Sequence, residues 1–292
     1  MATTNNNLMN GTKFFQIRSM LLILATNFFF MAHAKDVEAK SKINFLFVEW
    51  RDKENLLLFG HFIDQSKKVV EIRSSPEELN DLQLQKWLKG DNAVLLFHCM
   101  WGQQSFFHKV KYLKTFNEIF SPSAGKNYTV ISFLWHAGGL NYKQNWEQSF
   151  TKGSKLASVV QKINHYYAGN TSVLCHSMGA RFFEGVLAGN IAGPKFREVI
   201  LFSSDISANT TDPDFVTITK SAKQVCVFKH QKDKMLLFSS LIHGNKRIGR
   251  TGLEAKQDGI TVYDMTDHIH GFQNHAHINR RWVKEQLLQR FQ

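Results

Sequence analysis

The residues with the clearest chemical potential lie in one short segment, Cys175-His176-Ser177-Met178-Gly179. The segment follows the apolar run SVLC and precedes a stretch with helical spacing. A serine at a tight strand-to-helix turn stands clear of the sheet, and the N–H of the following residue faces any oxyanion that forms there. The pattern therefore favours a nucleophilic Ser177 with the Met178 N–H as an oxyanion donor.

A serine nucleophile needs a base and an acid that orients the base, and in this arrangement the acid and then the base follow the serine along the chain. Asp233 follows the second strand-like run after Ser177, and Asp205 follows the first. An acid after a strand is also a common helix cap, so both stay open, and we favour Asp233. His275 lies between the last strand-like run and the final helix, and we favour it as the base, with His277 as the alternative.

Further histidines near the predicted base raise the question of a metal site. The segments Asp267-His268-x-His270 and His275-x-His277 place imidazoles two positions apart, and such pairs can converge on a metal. No cysteine or second acid accompanies them at a spacing typical of zinc, and the serine already requires one of these histidines. We therefore expect no metal and no organic cofactor.

The elements that must position these residues are predicted to be parallel strands and helices. Continuous apolar runs (AVLLF, TVISFLW, SVLC, EVILF and QVCVF) are typical of parallel strands that are covered on both faces. The opening runs, 43–50 and 56–63, are separated by a short polar loop, which indicates an antiparallel N-terminal edge. Helical spacing predicts helices over 76–88, 105–120, 144–167, 178–188, 215–222, 234–241 and 278–291. The sequence thus predicts an α/β fold with a mostly parallel central sheet and helices on both faces.

The first 34 residues are predicted to be a secretory signal peptide. They carry Lys13 and Arg18 and no acid, then an apolar stretch over 20–32, and end in Ala32-His33-Ala34. An uncleaved signal anchor is the alternative, but the apolar stretch is shorter than the roughly 20 residues that span a bilayer. We expect cleavage after Ala34, a single domain over 35–292, and a secreted or periplasmic location.

Composition narrows the class of protein without giving its function. With 43% apolar residues and only four prolines in 292 residues, the chain is neither disordered nor collagenous. Three cysteines, Cys99, Cys175 and Cys226, are too few for a disulfide scaffold. A bridge between Cys99 and Cys175 is conceivable, and three free buried thiols are favoured.

The formal charge of +12 comes from 36 basic and 24 acidic residues. The basic residues form no run of five or more and show no recurrent pairing with aromatic residues, so we expect no nucleic-acid partner. Contact with anionic surfaces stays open, because several basic residues lie close to the predicted acid in the chain: Lys232, Lys234, Lys246, Arg247 and Arg250. The oligomeric state cannot be read from this pattern.

Several of these motifs together resemble a mostly bacterial family of α/β-hydrolases known as a domain of unknown function. LCHSMGARF resembles its Ala-His-Ser-Met-Gly elbow, FKHQKDK its acid-bearing loop with Asp233 as the acid, and NHAHI its His-containing segment with His275 as the base. AVLLFHCMW resembles its strand and His-Gly-x-Asn turn, with Cys99 at the glycine position and Trp101 at the asparagine position. The resemblance covers about residues 93–280.

The resemblance implies an α/β-hydrolase fold and a serine hydrolase, which the predicted signal peptide would make a secreted one. A backbone N–H from the turn after AVLLF would complete the oxyanion hole, and we assign it to Met100. The expected reaction is hydrolysis of a carboxylic ester, in a small-molecule or lipid-like substrate, through an acyl-enzyme. The altered turn leaves one alternative open, a binding protein that keeps the fold without catalysing a reaction.

Overall fold

The sheet of this protein is seen in a computed structural model that describes residues 44–51, 56–61, 72–74, 81–99, 115, 118–119, 127–135, 141–189, 193–269, 275, 278 and 280–291. The described strands are β1 (Asn44–Arg51), β2 (Leu56–His61), β3 (Ile72–Ser74), β4 (Asn92–Phe97), β5 (Tyr128–Trp135), β6 (Thr171–His176), β7 (Glu198–Phe202), β8 (Val225–Lys229) and β9 (Ile260–Asp264). They form one sheet in the order β3-β2-β1-β5-β4-β6-β7-β8-β9.

Most of this sheet is parallel. Strand β1 and every strand from β4 to β9 run in one direction, with Phe97 opposite Cys175 and His176 opposite Phe202 where the site-bearing strands end. Strands β2 and β3 pair antiparallel at the N-terminal edge. The predicted α/β-hydrolase fold with an antiparallel N-terminal edge is confirmed.

The helices follow the predicted segments with local differences. They are α1 (Asp81–Trp87), α2 (Tyr142–Lys155), α3 (Ala157–Tyr166), α4 (Gly179–Ala188), α5 (Pro213–Ser221), α6 (Lys234–His243), α7 (Ile248–Thr251) and α8 (Arg281–Phe291). The single helix predicted over 144–167 is two helices, because the chain turns at Leu156, where φ is −97° and ψ is 2°. Helix α7 is one short turn that the sequence did not predict. The predicted helix over 105–120 lies largely outside the described residues.

The core consists of two apolar layers, one on each face of the sheet. Successive strand residues point to opposite faces, so Val173 joins the layer under helices α3 to α5, whereas Leu174 joins the layer under helix α8. Strands β5, β6 and β7 are buried along their whole length. This explains why their sequences are continuous apolar runs rather than alternating ones.

Parallel strands bring the chain segments that follow them to one edge of the sheet. Ser177 follows β6, Asp205 follows β7, Asp233 follows β8, and His275 comes after β9. Since β6, β7, β8 and β9 are successive neighbours, four chemically active residues that are up to 98 positions apart meet at this carboxyl edge.

Among the described helices, none combines the length and hydrophobicity that a bilayer crossing requires.

Candidate active site

Ser177 occupies a strained turn between β6 and α4. Its φ is +54°, in the left-handed region that non-glycine residues seldom adopt. The turn is held by the Ser177 N–H, which donates to Phe202 O (3.1 Å), and by the Ser177 carbonyl, which accepts from the N–H groups of Ala180 and Asp205 (3.1 Å each). Strand β7 therefore fixes the elbow, and the strain is maintained by its neighbours.

Gly179 allows the helix after the elbow to approach strand β4 closely. A Cβ at this position would lie 2.0 Å from Phe97 O and 2.8 Å from His98 O. No side chain fits into that space, so the glycine that ends the segment Cys175-His176-Ser177-Met178-Gly179 is a packing requirement. The small residue at the first position, Cys175, is fully buried and is accommodated in β6.

The three side chains favoured by the sequence lie in one hydrogen-bonded line. Ser177 Oγ is 2.8 Å from His275 Nε2, and His275 Nδ1 is 2.8 Å from Asp233 Oδ2. Asp233 is fully buried, whereas the His275 side chain keeps 20% of its exposure. Asp233 is also the N-cap of α6, and its second oxygen, Oδ1, accepts from Leu236 N–H (3.0 Å). The start of that helix therefore fixes the carboxylate.

The hydrogen-bond partners define the tautomer of His275. A carboxylate only accepts, so Nδ1–H donates to Asp233, and Nε2 of the neutral ring is left to accept from the Ser177 hydroxyl. Burial of the ring lowers the pKa of His275, but the charge of Asp233 and its hydrogen bond outweigh burial and raise that pKa to about 9. A neutral His275, the form that can take a proton from Ser177, is thus favoured at alkaline pH.

Asp205, the alternative acid, has a different set of partners. It is fully buried, and its carboxylate accepts from the hydroxyls of Ser239 (2.5 Å) and Tyr142 and lies 3.2 Å from Arg247 Nε. Burial raises the pKa of Asp205 to about 6, against the opposing effects of Arg247 and Ser239. No hydrogen bond joins Asp205 to His275 among the described residues.

Comparison with protein families gives a match over residues 77–288, most of the chain. The matching family is described as an alpha/beta hydrolase of unknown function (DUF900). The chain belongs to this family. Membership confirms the resemblance drawn from the motifs and supports a hydrolase activity, while no curated protein matches the sequence.

Two histidines of this α/β-hydrolase position the segment that carries the base. His176 Nε2 lies 2.8 Å from His275 O, and since a carbonyl only accepts, the ring donates. His230 Nε2 likewise donates to Ile269 O (3.0 Å), while its Nδ1 accepts from Lys232 N–H (3.2 Å). Sequence reasoning did not assign either role, although the position of His176 directly before the serine was a visible signal.

A small pocket opens beside the serine of the hydrolase. Its volume is about 40 Å³, and it is lined by Cys99, Tyr142, Ser177, Met178, Met235, Leu236 and His275. The lining is mainly apolar, which suits an uncharged group better than an ionic one. A larger surface depression elsewhere is lined by Glu118 and by four residues of α8 and contains none of the predicted site residues.

The remaining predicted residues of the hydrolase are placed as follows. Met178 lies at the start of α4, and its N–H makes no backbone hydrogen bond to another described residue. Met100 and His277 lie outside the described residues. His268 stacks on Trp282, with ring centroids 4.3 Å apart. Within the part of the chain that the structure describes, no group of His, Cys, Asp and Glu is arranged to hold a metal ion.

The three cysteines of the hydrolase are free thiols. Cys175 and Cys226 are fully buried, as favoured from the sequence. Cys99 differs, because it is partly exposed and contributes to the wall of the pocket beside Ser177. Cys99 therefore adds a side chain to the site.

Proposed function

We propose that this protein is a serine hydrolase that cleaves carboxylic esters. The observation that carries the proposal is the line Ser177–His275–Asp233, with 2.8 Å between the hydrogen-bonded atoms at each step. The alternative, a binding protein without catalysis, would be favoured if Ser177 Oγ lay far beyond hydrogen-bond reach of both His275 and His277. A distance of 2.8 Å argues against that alternative.

In the proposed reaction, Ser177 Oγ attacks the carbonyl carbon of the ester while its proton moves to His275 Nε2. The imidazolium that forms is stabilised by Asp233, and the carbonyl oxygen, now negatively charged, accepts from the Met178 N–H. We assign the second donor to the Met100 N–H.

Collapse of this intermediate breaks the ester C–O bond. His275 returns its proton to the departing alkoxide, which leaves as an alcohol. The acyl group stays bonded to Ser177. Water then attacks the acyl-enzyme, with His275 as base, and releases the acid. The small apolar pocket supports an uncharged acyl group on the substrate.

A fluorophosphonate probe tests the nucleophile, because it phosphonylates a serine that is activated by a base. We expect labelling of the wild type and none of Ser177→Ala. Ser203→Ala is a matched control: Ser203 also follows a strand with positive φ (42°), but it is buried and its hydroxyl has no hydrogen-bond partner in the described region. Equal labelling of wild type and Ser177→Ala would refute the assignment, and an unlabelled wild type would favour the binding protein.

We further propose that the hydrolase is secreted or periplasmic, with a signal peptide over 1–34. The support is the positively charged start, the short apolar stretch and the Ala32-His33-Ala34 tripeptide. Mass spectrometry of the exported protein should give a chain that begins at Lys35. A chain that retains Met1 and stays with the membrane fraction would instead indicate the uncleaved anchor.

A further inference from the structure

Helix α6 carries a continuous exposed apolar face. Leu237, Phe238, Leu241 and Ile242 keep 41%, 51%, 76% and 39% of their exposure. They are four of the six large hydrophobic side chains that are exposed in the described part of the chain, and they recur at positions i, i+1, i+4 and i+5 of one helix. Scattered exposed hydrophobic residues need no explanation, but a contiguous patch of this kind marks an interaction surface.

Cationic side chains flank this apolar face. Lys232 and Lys234 are exposed at the start of α6, and Lys246 is 67% exposed beyond its end. Within residues 229–250 the one acid is the buried Asp233, and two of the basic residues are paired elsewhere, Lys229 with Asp264 and the buried Arg247 with Asp205. The negative charge nearest to Lys246 is Glu254, at 4.0 Å in an exposed pair, which water and salt screen.

The same helix is continuous with the proposed active site. It begins at Asp233, its residues Met235 and Leu236 line the pocket beside Ser177, and the ring of Phe238 meets that of Tyr142, another pocket residue, at 6.1 Å. A surface that binds the apolar face of α6 would therefore lie next to the mouth of the pocket.

We propose that this face of α6 docks the hydrolase onto an anionic lipid bilayer. An apolar helix face enters the interface between headgroups and acyl chains, while the flanking lysines meet anionic headgroups. A second copy of the chain fits less well, because a symmetric contact would bring the lysines of both copies close together, and like charges repel. Docking concerns binding alone and does not depend on the proposed reaction.

Flotation with vesicles tests the docking of the full-length chain. Vesicles contain either equal parts of phosphatidylglycerol and phosphatidylcholine, or phosphatidylcholine alone. We expect the wild type to bind the anionic vesicles more tightly and to lose this preference as salt is raised. Ser177→Ala should bind like the wild type, so a failure of docking is distinguishable from a failure of the proposed reaction.

Two sets of variants separate the apolar and the cationic contributions. Phe238→Ser with Leu241→Ser should weaken binding to anionic vesicles about tenfold or more, through loss of buried apolar area. Lys232→Gln with Lys234→Gln should weaken it roughly 30-fold, with no effect on phosphatidylcholine vesicles. All four positions are exposed, so the fold should be retained, which circular dichroism checks.

Matched controls lie away from the helix. Val262→Ser changes an exposed apolar residue of the edge strand β9, and Lys195→Gln with Lys223→Gln removes two exposed lysines at the amino ends of β7 and β8, the opposite edge of the sheet. These controls should bind as the wild type does. Equal binding by the α6 variants and the controls would overturn the proposal. So would a change from dimer to monomer in Phe238→Ser with Leu241→Ser while vesicle binding is unchanged.

Discussion

Asp233 and Asp205 are two buried carboxylates at the ends of neighbouring strands, and they differ in what they contact. Asp233 has one oxygen on the helix cap of α6 and the other on His275, a side chain that can gain and lose a proton. Asp205 has a permanent cation, Arg247, and the hydroxyls of Ser239 and Tyr142. The first carboxylate is placed to act on a base, whereas the second joins β7, α6 and the loop before α7.

The difference shows that a strand-end position does not by itself assign a role to an acid. Both acids follow parallel strands at the same edge of the sheet, and Asp205 lies one strand nearer to Ser177. The side chain that each acid contacts decides its role. The neutral imidazole of His275 can take a proton from Ser177, and of the two acids only Asp233 is hydrogen-bonded to that imidazole in the described region. The comparison can be tested by changing each acid and its partners in turn.

The largest effect is expected for Asp233→Asn. The amide keeps the helix cap, because Asn is as good an N-cap as Asp, but it no longer holds the His275 tautomer that accepts from Ser177. We expect kcat/KM for a short-chain aryl ester to fall about 10⁴-fold. In Asp205→Asn, the folded enzyme should keep its kcat/KM within about tenfold. The reverse order of effects would make Asp205 the orienting acid.

The second prediction concerns the titration of His275. In the wild type, kcat/KM should rise with pH as His275 loses its proton with a pKa of about 9. In Asp233→Asn, burial remains while the carboxylate is gone, so the pKa should fall. NMR titration of the ring measures both values, with His275→Gln to assign the resonance. An unchanged pKa in Asp233→Asn would contradict the contact.

The raised pKa of His275 also fixes the sign of its effect on stability. Because the folded pKa exceeds the unfolded value of about 6.5, the pair with Asp233 stabilises the fold fully below that pH. The contribution is lost as pH rises through about 9. Unfolding in denaturant at several pH values should show this loss in the wild type and much less of it in Asp233→Asn.

The third prediction concerns the free energy of unfolding when Asp205 is replaced. Asp205→Asn leaves Arg247, a buried cation, without its counter-ion, and this should lower the free energy of unfolding by about 3 kcal/mol. Adding Arg247→Met removes the unpaired charge, and we expect the double variant to recover about 1 kcal/mol or more. Urea unfolding measures both. A double variant less stable than Asp205→Asn would mean that Arg247 stabilises the fold independently of Asp205.

The smallest effect is expected for Ser239→Ala. The Ser239 hydroxyl donates to Asp205 Oδ1 (2.5 Å) and accepts from Arg247 Nε (2.9 Å), so its loss weakens the network without removing a charge. We expect a loss of about 1.5 kcal/mol of stability and unchanged kcat/KM. Ser240→Ala is the neighbouring control, since its partly exposed hydroxyl bonds only to Leu236 O within the described region. A large fall in kcat/KM in Ser239→Ala would tie this network to catalysis.

The parts of this site that the sequence predicted depend on local patterns. A serine directly after an apolar strand, an acid after a later strand and a histidine after the last one identify the carboxyl edge, because parallel strands all end there. The role of His176 was not predicted, because its partner is 99 positions away in the sequence. Neither was the exposed face of α6, because its sequence KMLLFSSLIH is apolar on several sides, and only tertiary packing decides that Leu236 is buried while Leu241 is exposed.

The bond from His176 to the carbonyl of His275 has a consequence for how the chain tolerates change. His176 holds the backbone of His275, so the distance between Ser177 and His275 is set locally rather than by the chain that leads from β9 to His275. Insertions or deletions in that connection would alter its length while leaving the spacing of nucleophile and base intact. Insertions, deletions and substitutions are therefore expected to be more frequent between Ile269 and His275 than in the segment Cys175–Gly179.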